Sequence, residues 1–183
     1  MANDGDNVRV GLDGKILIAP KGTTAPADLT TAWGVGWVDL GYLSDDGCEM
    51  QYSTSTDDIK AWQSLSPVRK ILTGIDMTLQ FTALELKKDV VTLYFPSASI
   101  STTGGVSTLA IPSAPDPDER AIGLEWTDGA VTNRLVVARC EITDRGSITT
   151  SRGGAVGLQM TATAYATSAP EIATWLSNDP SWA

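Results

Sequence analysis

Three groups of carboxylates are the first residues in this chain that could do chemistry: Asp45-Asp46, Asp57-Asp58 and Asp116/Asp118/Glu119. Paired carboxylates can divide acid and base roles or hold calcium. Each group sits beside Gly, Pro or Thr in a segment that reads as a turn, where Asp caps its own backbone. None has the register of an EF-hand loop. Histidine is absent, which removes Ser-His-Asp and Cys-His arrangements and every His-ligated metal site. Ser and Thr are plentiful, but no base stands near them and there is no Gly-x-Ser-x-Gly elbow. Gly34-Val35-Gly36 and Gly153-Gly154 neither open a helix after a strand nor carry a Lys-Ser/Thr pair, so they are not phosphate loops. The expectation is a chain that is not an enzyme, with no catalytic, cofactor-binding or metal-binding residues and no cofactor.

Cys48 and Cys140 lie far apart without metal-ligand spacing, and read as small buried apolar residues, although a single bridge between them stays open. The 183 residues suit one domain, taken as 1–183. A formal net charge of −9 argues against coating a nucleic-acid backbone or an anionic membrane face. The polar N-terminus has no basic-then-apolar leader, and no apolar run approaches the roughly 20 residues of a bilayer crossing. The chain is expected to be made and kept soluble in a cytoplasm.

Period-two alternation punctuated by turns must position whatever functional surface exists. Lys15 to Ala19 and Trp37 to Leu43 read as short strands, the second ended by Asp45-Asp46-Gly47. Cys48, Met50 and Tyr52 then share one face, and Glu49, Gln51 and Ser53 the other. Thr56 to Pro67 breaks the pattern and reads as a long loop. Arg69 to Leu84 is the longest strand, with Ile71, Ile75, Met77, Leu79 and Phe81 opposite Asp76, Thr78, Gln80 and Thr82, and Gly74 marking a bulge or bend. One helix is expected from Leu86, Val90, Leu93 and Tyr94, with Thr82 and Glu85 as a competing capping box and Pro96 as its stop. A small hairpin is expected around Gly104-Gly105. The clearest hairpin is Ala121 to Trp126, Asp128-Gly129 and Val131 to Ile142. After a turn at Asp144-Arg145-Gly146, the residues Val156, Leu158, Met160, Ala162 and Ala164 oppose Gln159, Thr161, Thr163 and Tyr165. From Ser168 the chain reads as a polar tail. The sum is a mainly β, antiparallel sandwich or barrel with one flanking α-helix, a long inter-strand loop and extended termini.

Six tryptophans are many for this length. Trp62 lies in the Thr56 to Pro67 loop, and Trp175, Leu176 and Trp182 lie in the tail. Apolar residues without a core of their own are sites of association, because Trp buries a large area against a partner. Folding back onto the same domain is the competing outcome, most evenly matched for Trp182. The polar strand faces Glu49/Gln51/Ser53, Asp76/Thr78/Gln80 and Gln159/Thr161/Thr163 lack Lys and Arg. One such face is an ordinary wet surface; three together suggest a surface that tolerates or repels a passing polyanion.

Several stretches, in order, resemble the major tail tube proteins of long, non-contractile bacteriophage tails. They are Gly14-Lys15-Ile16-Leu17-Ile18-Ala19-Pro20, Trp37-Val38-Asp39-Leu40-Gly41-Tyr42 and Asp57-Asp58-Ile59-Lys60-Ala61-Trp62-Gln63. Pro117-Asp118-Glu119-Arg120-Ala121, Arg134-Leu135-Val136-Val137, Glu141-Ile142-Thr143-Asp144-Arg145-Gly146 and Asn178-Asp179-Pro180 follow. Cys48, Cys140 and the glycine-rich run Ser151 to Gly154 depart from the pattern.

The resemblance implies a structural virion protein, assembled in the host cytoplasm, whose hexameric rings stack into a hollow tube that conducts DNA during genome ejection. Sheets of neighbouring subunits would join into a closed inner barrel. The loop carrying Asp57, Asp58, Ile59, Lys60, Trp62 and Gln63 would stack on the adjacent ring. The arm (1–13) and the tail (168–183, with Trp175, Leu176 and Trp182) would make further contacts. Expected partners are other copies, a tape-measure protein and tail-terminator or baseplate proteins, with DNA a transient passenger and no membrane. Strand alternation assigns Glu49, Gln51, Asp76, Thr78, Gln80, Gln159 and Thr161 to the lumen. The alternatives are a capsid decoration protein and a carbohydrate-binding β-sandwich.

Overall fold

The computed structural model describes residues 5–182, excluding the side chain of Asp6; the first four residues of the expected arm lie outside them. Ten strands and one helix follow in the order β1 (Asp13–Pro20), β2 (Val38–Asp39), β3 (Leu43–Ile59), β4 (Arg69–Ala83), α1 (Lys88–Tyr94), β5 (Ser99–Thr103), β6 (Val106–Ala110), β7 (Arg120–Asp128), β8 (Val131–Arg145), β9 (Leu158–Ala164) and β10 (Thr174–Ser177). All pairings are antiparallel, and the main sheet runs β2-β1-β7-β8-β9-β4-β3, with β10 also on β8. β5 and β6 form a separate hairpin turning at Gly104-Gly105, as expected.

The alternation in β9 seals Leu158, Met160, Ala162 and Ala164 inside. Met77, Leu79, Phe81 and Ala83 do the same on β4. These residues share one buried cluster with Ile16, Ile18, Ile122, Leu124, Leu135 and Val137 from the other half of the sheet. The sheet therefore folds over onto its own inner face. At its mouth the chain crosses between the halves: Leu40 N–H donates to Ile16 O (2.9 Å) and Leu84 N–H to Tyr42 O (2.8 Å). Gly41 makes this crossing at φ +81°, and a Cβ there would lie 2.2 Å from the Glu85 carboxyl group. Each large side chain sealed in the core contributes roughly 1.5–3 kcal/mol.

Several expected boundaries move. The strand read from Trp37 to Leu43 splits in two, because Gly41 turns the chain: Val38–Asp39 pairs with β1, and Leu43 opens β3 opposite Ala83. Asp45-Asp46-Gly47 is a bulge inside β3 rather than its start: Ser44 to Gly47 stand opposite the single residue Thr82. Thr56 to Pro67 is not all loop, since β3 stays paired through Ile59 and Val68 N–H donates to Ile59 O at 2.9 Å. A bulge falls beside Gly74, as expected, but it leaves Thr73 unpaired and shifts the parity. Ile71 consequently pairs with Asp57, and Leu72 joins the row of Ile75 and Met77.

The helix starts at Lys88, with Lys87 as an N-cap that makes no side-chain cap bond. Thr82 stays in β4, Glu85 accepts from Tyr42 N–H, and Leu86 is exposed. Val90, Leu93 and Tyr94 are the buried stripe, and Tyr94 is fixed from both ends: its hydroxyl donates to Gly146 O, while Arg145 Nε donates to its carbonyl. The turn expected at Asp144-Arg145 is strand, because β8 runs on to Arg145. The strand read from Val156 pairs only from Leu158.

Candidate assembly surfaces

β9 covers β4 only from Thr78 onwards. Beyond that point β3 and β4 continue as a two-stranded ribbon, from the Ser53–Asp76 pair to the Ile59–Arg69 pair. Residues 60–68 join the two strands. One side of the ribbon carries Tyr52, Ile75 and Leu72, all exposed, in continuation of the buried row of Leu79 and Met77. A two-stranded ribbon is marginally stable in water by itself, and a contiguous exposed apolar strip marks an interaction site.

The structure separates the residues expected in a stacking loop. Asp57, Asp58 and Ile59 are strand residues, paired with Ile71, Lys70 and Arg69, and Asp58 sits 3.7 Å from the Lys70 ammonium. Lys60, Trp62 and Gln63 lie in the connection itself. Trp62 is 100% exposed and Leu65 104%, so the tip presents two large apolar side chains that touch nothing in their own subunit.

The seven residues assigned to a polar face are brought together. Glu49 pairs with Gln80, Gln51 with Thr78 and Ser53 with Asp76. Gln80 in turn pairs with Thr161, Thr78 with Thr163 and Thr82 with Gln159. β8 extends the rows with Glu141 opposite Thr163 and Asp144 opposite Thr161. The Thr143 and Thr163 hydroxyls meet at 2.7 Å on the same sheet. These paired rows contain no Lys or Arg. Arg139 lies beyond them at one end, held by Glu119 and donating to Ala166 O. The Arg139 and Lys21 hydrogen bonds hold the Glu119 carboxyl down to about 2.

The tail is not free. Residues 174–177 form β10 on β8, and Trp175 Nε1–H donates to Asn133 Oδ1 at 3.1 Å. Trp126, Trp175 and Trp182 stack edge to face, with centroids 5.0 and 5.3 Å apart. Leu176 is half-buried, while Trp175 and Trp182 keep 39% and 58% of their surface exposed. Arg9 grips Asp179 and so ties the N-terminal arm to the tail. Sequence reasoning gave Asp179 no such role.

It also missed the anchor of the segment between β1 and β2. Trp33 lies over Gly123, where a Cβ would come within 2.2 Å of the indole, and the guanidinium of Arg134 sits 4.8 Å from the Trp33 ring. Arg134, 4% exposed, donates to Glu125, Asp28 O and Thr31 O. Burial raises the Glu125 carboxyl, but hydrogen bonds from Lys15, Trp33 and Arg134 outweigh it and leave it lowered. The Asp28 carboxylate accepts from the Thr31 and Thr30 N–H groups and titrates at about 2.

Both thiols are free. Burial, with the Glu49 charge beside it, pushes Cys48 up to about 12, and burial does the same for Cys140. No group of three or more Cys, Asp or Glu among the described residues could hold a metal ion. No helix among them is long and apolar enough to cross a membrane.

A mainly antiparallel β-subunit with a projecting ribbon, an apolar tip and polar rows free of Lys and Arg is built for assembly. The sequence matches the profile of the family described as phage tail tube protein over residues 1–183. The chain belongs to that family: it is a structural protein of a phage tail and thus a virion component. Among solved structures, a chain from the virion of a native gene transfer agent particle is similar at 10% identity and TM-score 0.42, covering 91% of this chain and 96% of that one. No curated protein matches the sequence.

Proposed function

We propose that this subunit closes with identical copies into hexameric rings that stack into a hollow tube, and that DNA passes through the bore during ejection. Its role is mechanical rather than catalytic. The observation that carries this reading is the run of polar pairs without Lys or Arg that crosses β3, β4, β9 and β8 between Glu49 and Asp144, on a sheet whose edge strand β3 runs on beyond the body with β4 as its one neighbour. A long open edge invites pairing with another chain, and closure into a barrel removes it. Phosphates sliding past Glu49, Asp76, Glu141 and Asp144 meet like charge and find no cation within those rows, Arg139 at their edge being held by Glu119.

The tip at 60–68 is the inter-ring stacking element in this reading. The arm and the β10 tail contribute contacts through Leu176 and through Trp175 and Trp182, whose exposed faces continue the Trp126 stack. A tape-measure protein and terminator or baseplate proteins are the partners such a tube requires. The test is the ejection rate of particles carrying Glu49→Lys with Asp76→Lys. Slower ejection from normal tubes is expected; an unchanged rate would show that these side chains do not face the channel.

A further inference from the structure

We propose that the cleft between the start of β1 and the bulge of β3 is the receptor for the 60–68 tip of a second copy, an inference that rests on the stacked-tube reading above. The cleft has a volume of about 860 Å³, within the range of sites that enclose a ligand. Leu43, Met50, Leu124 and Trp126 give it an apolar lining. Its rim is acidic: Asp13, Asp39, Asp45, Asp46 and Glu85 all line it. Its one cation, Lys15, is spent on Glu125 at 2.8 Å. The β3 bulge thrusts Asp45 and Asp46 outward, and neither carboxylate has an ion pair among the described residues.

The tip has the complementary composition. Residues 60–68 contain Lys60 and no Asp or Glu, in a chain of net charge −9, while Lys70 on the strand below sits 3.7 Å from Asp58. They also carry the fully exposed Trp62 and Leu65. Large apolar side chains beside the Lys60 cation thus face, on another copy, an apolar floor rimmed by carboxylates. Such complementarity fixes register and suppresses wrong partners.

Tip and cleft sit at opposite ends of β3, separated by roughly 35 Å of strand at ~3.4 Å per residue. Made head-to-tail, a contact of this kind leaves a free tip at one end and a free cleft at the other, and so propagates as an open stack. Gly47, at φ +70°, lets the bulge form, and the bulge prevents a neighbour's strand from pairing across the cleft mouth.

The experiment places the photo-crosslinker benzoylphenylalanine at position 62 in the full chain under assembly conditions and maps its crosslinks by mass spectrometry. Crosslinks from one copy to residues 11–15 or 39–50 of another are expected. Crosslinks to a different surface of another copy would overturn the inference while leaving the stacked tube intact. Absence of any crosslink between copies would overturn both. As a second arm, Asp45→Lys with Asp46→Lys should cut tube yield at least about tenfold while leaving the ring mass unchanged. Adding Lys60→Glu to the same chain should restore tubes. Failure of that reversal to rescue a folded chain would also overturn the inference.

Discussion

The guanidinium of Arg9 holds the carboxylate of Asp179 by both oxygens, Nε at 2.6 Å and a terminal nitrogen at 2.8 Å, across 170 residues of sequence. Val10 N–H, donating to the Asp128 carboxylate, and Leu12 N–H, donating to Thr127 O, set the arm beside the same end of the sheet. Asp179 also accepts from Ser181 N–H. The Arg9 bonds first, then that amide, hold its carboxyl far below the usual range. A carboxyl lowered by folding stabilises fully above its unfolded value, near 4, and the contribution fades as pH falls towards the folded value. Asp179→Ala should therefore lower the melting temperature at pH 7 and speed proteolysis after residue 168. The difference from wild type should shrink below about pH 4. A pH-independent difference would show that the ion pair is not what holds the tail.

The buried pair under Trp33 should be the costliest polar contact to break. The side chains of Arg134 and Glu125 are 5% and 13% exposed and lie 2.6 Å apart. Removing one partner of a buried pair costs about 3–5 kcal/mol. Arg134→Ala should fall in that range by urea denaturation and red-shift the tryptophan emission as the segment before β2 lifts away. Gly123→Ala, which drives a methyl into the Trp33 indole, should cost about 1–3 kcal/mol by overpacking.

Replacing residues 60–68 with Asn-Gly should leave the fold intact, because a two-residue turn suits an antiparallel ribbon. Circular dichroism and monomer stability should match wild type within about 0.5 kcal/mol, while electron micrographs should show no stacked tubes. Normal-length tubes from this variant would remove the tip from the stacking contact.

Hydrogen exchange should divide β3 and β4 in two. In the unassembled subunit, amides of 53–59 and 69–76 should exchange first, since only ribbon pairing protects them. Those on 78–83, flanked by β9 and backed by the core, should exchange last. Assembly should protect the ribbon selectively; equal protection before and after would mean that it stays solvated in the tube.

The thiols offer a control on the core. Cys140 is 2% exposed, and with both pKa values near 12 a thiol reagent at pH 8 should label Cys140 only after unfolding and Cys48 slowly. Rapid labelling of Cys140 in the native subunit would contradict its packing.

The sequence was legible wherever one face of a strand is buried. Leu158 to Ala164 and Met77 to Ala83 announce themselves by alternation because the core enforces it. The end of β3 was not legible: Ser53 to Asp58 pairs with β4 alone and has no core beneath, so no apolar period marks it as strand. Bulges are equally silent. Thr73 slips the register of Ile71, and Ser44 to Gly47 hide inside a strand behind a turn-like Asp-Asp-Gly. β10 is too short for periodicity, and its anchors, Asn133 and Trp126, are distant in sequence. The polar face emerged from alternation alone, because β3, β4 and β9 pair in register through the rows that carry it. The Arg134–Trp33 anchor had no such signal, since a lone Arg on an apolar strand shows nothing of what it will hold.

Electron micrographs of the concentrated, purified protein, averaged end-on and side-on, test the central claim most directly. Rings of six subunits around an open bore, stacked into tubes, are expected, with the Glu49, Asp76 and Gln159 face lining that bore. Dispersed monomers, closed trimers, or rings with that face turned outward would contradict it.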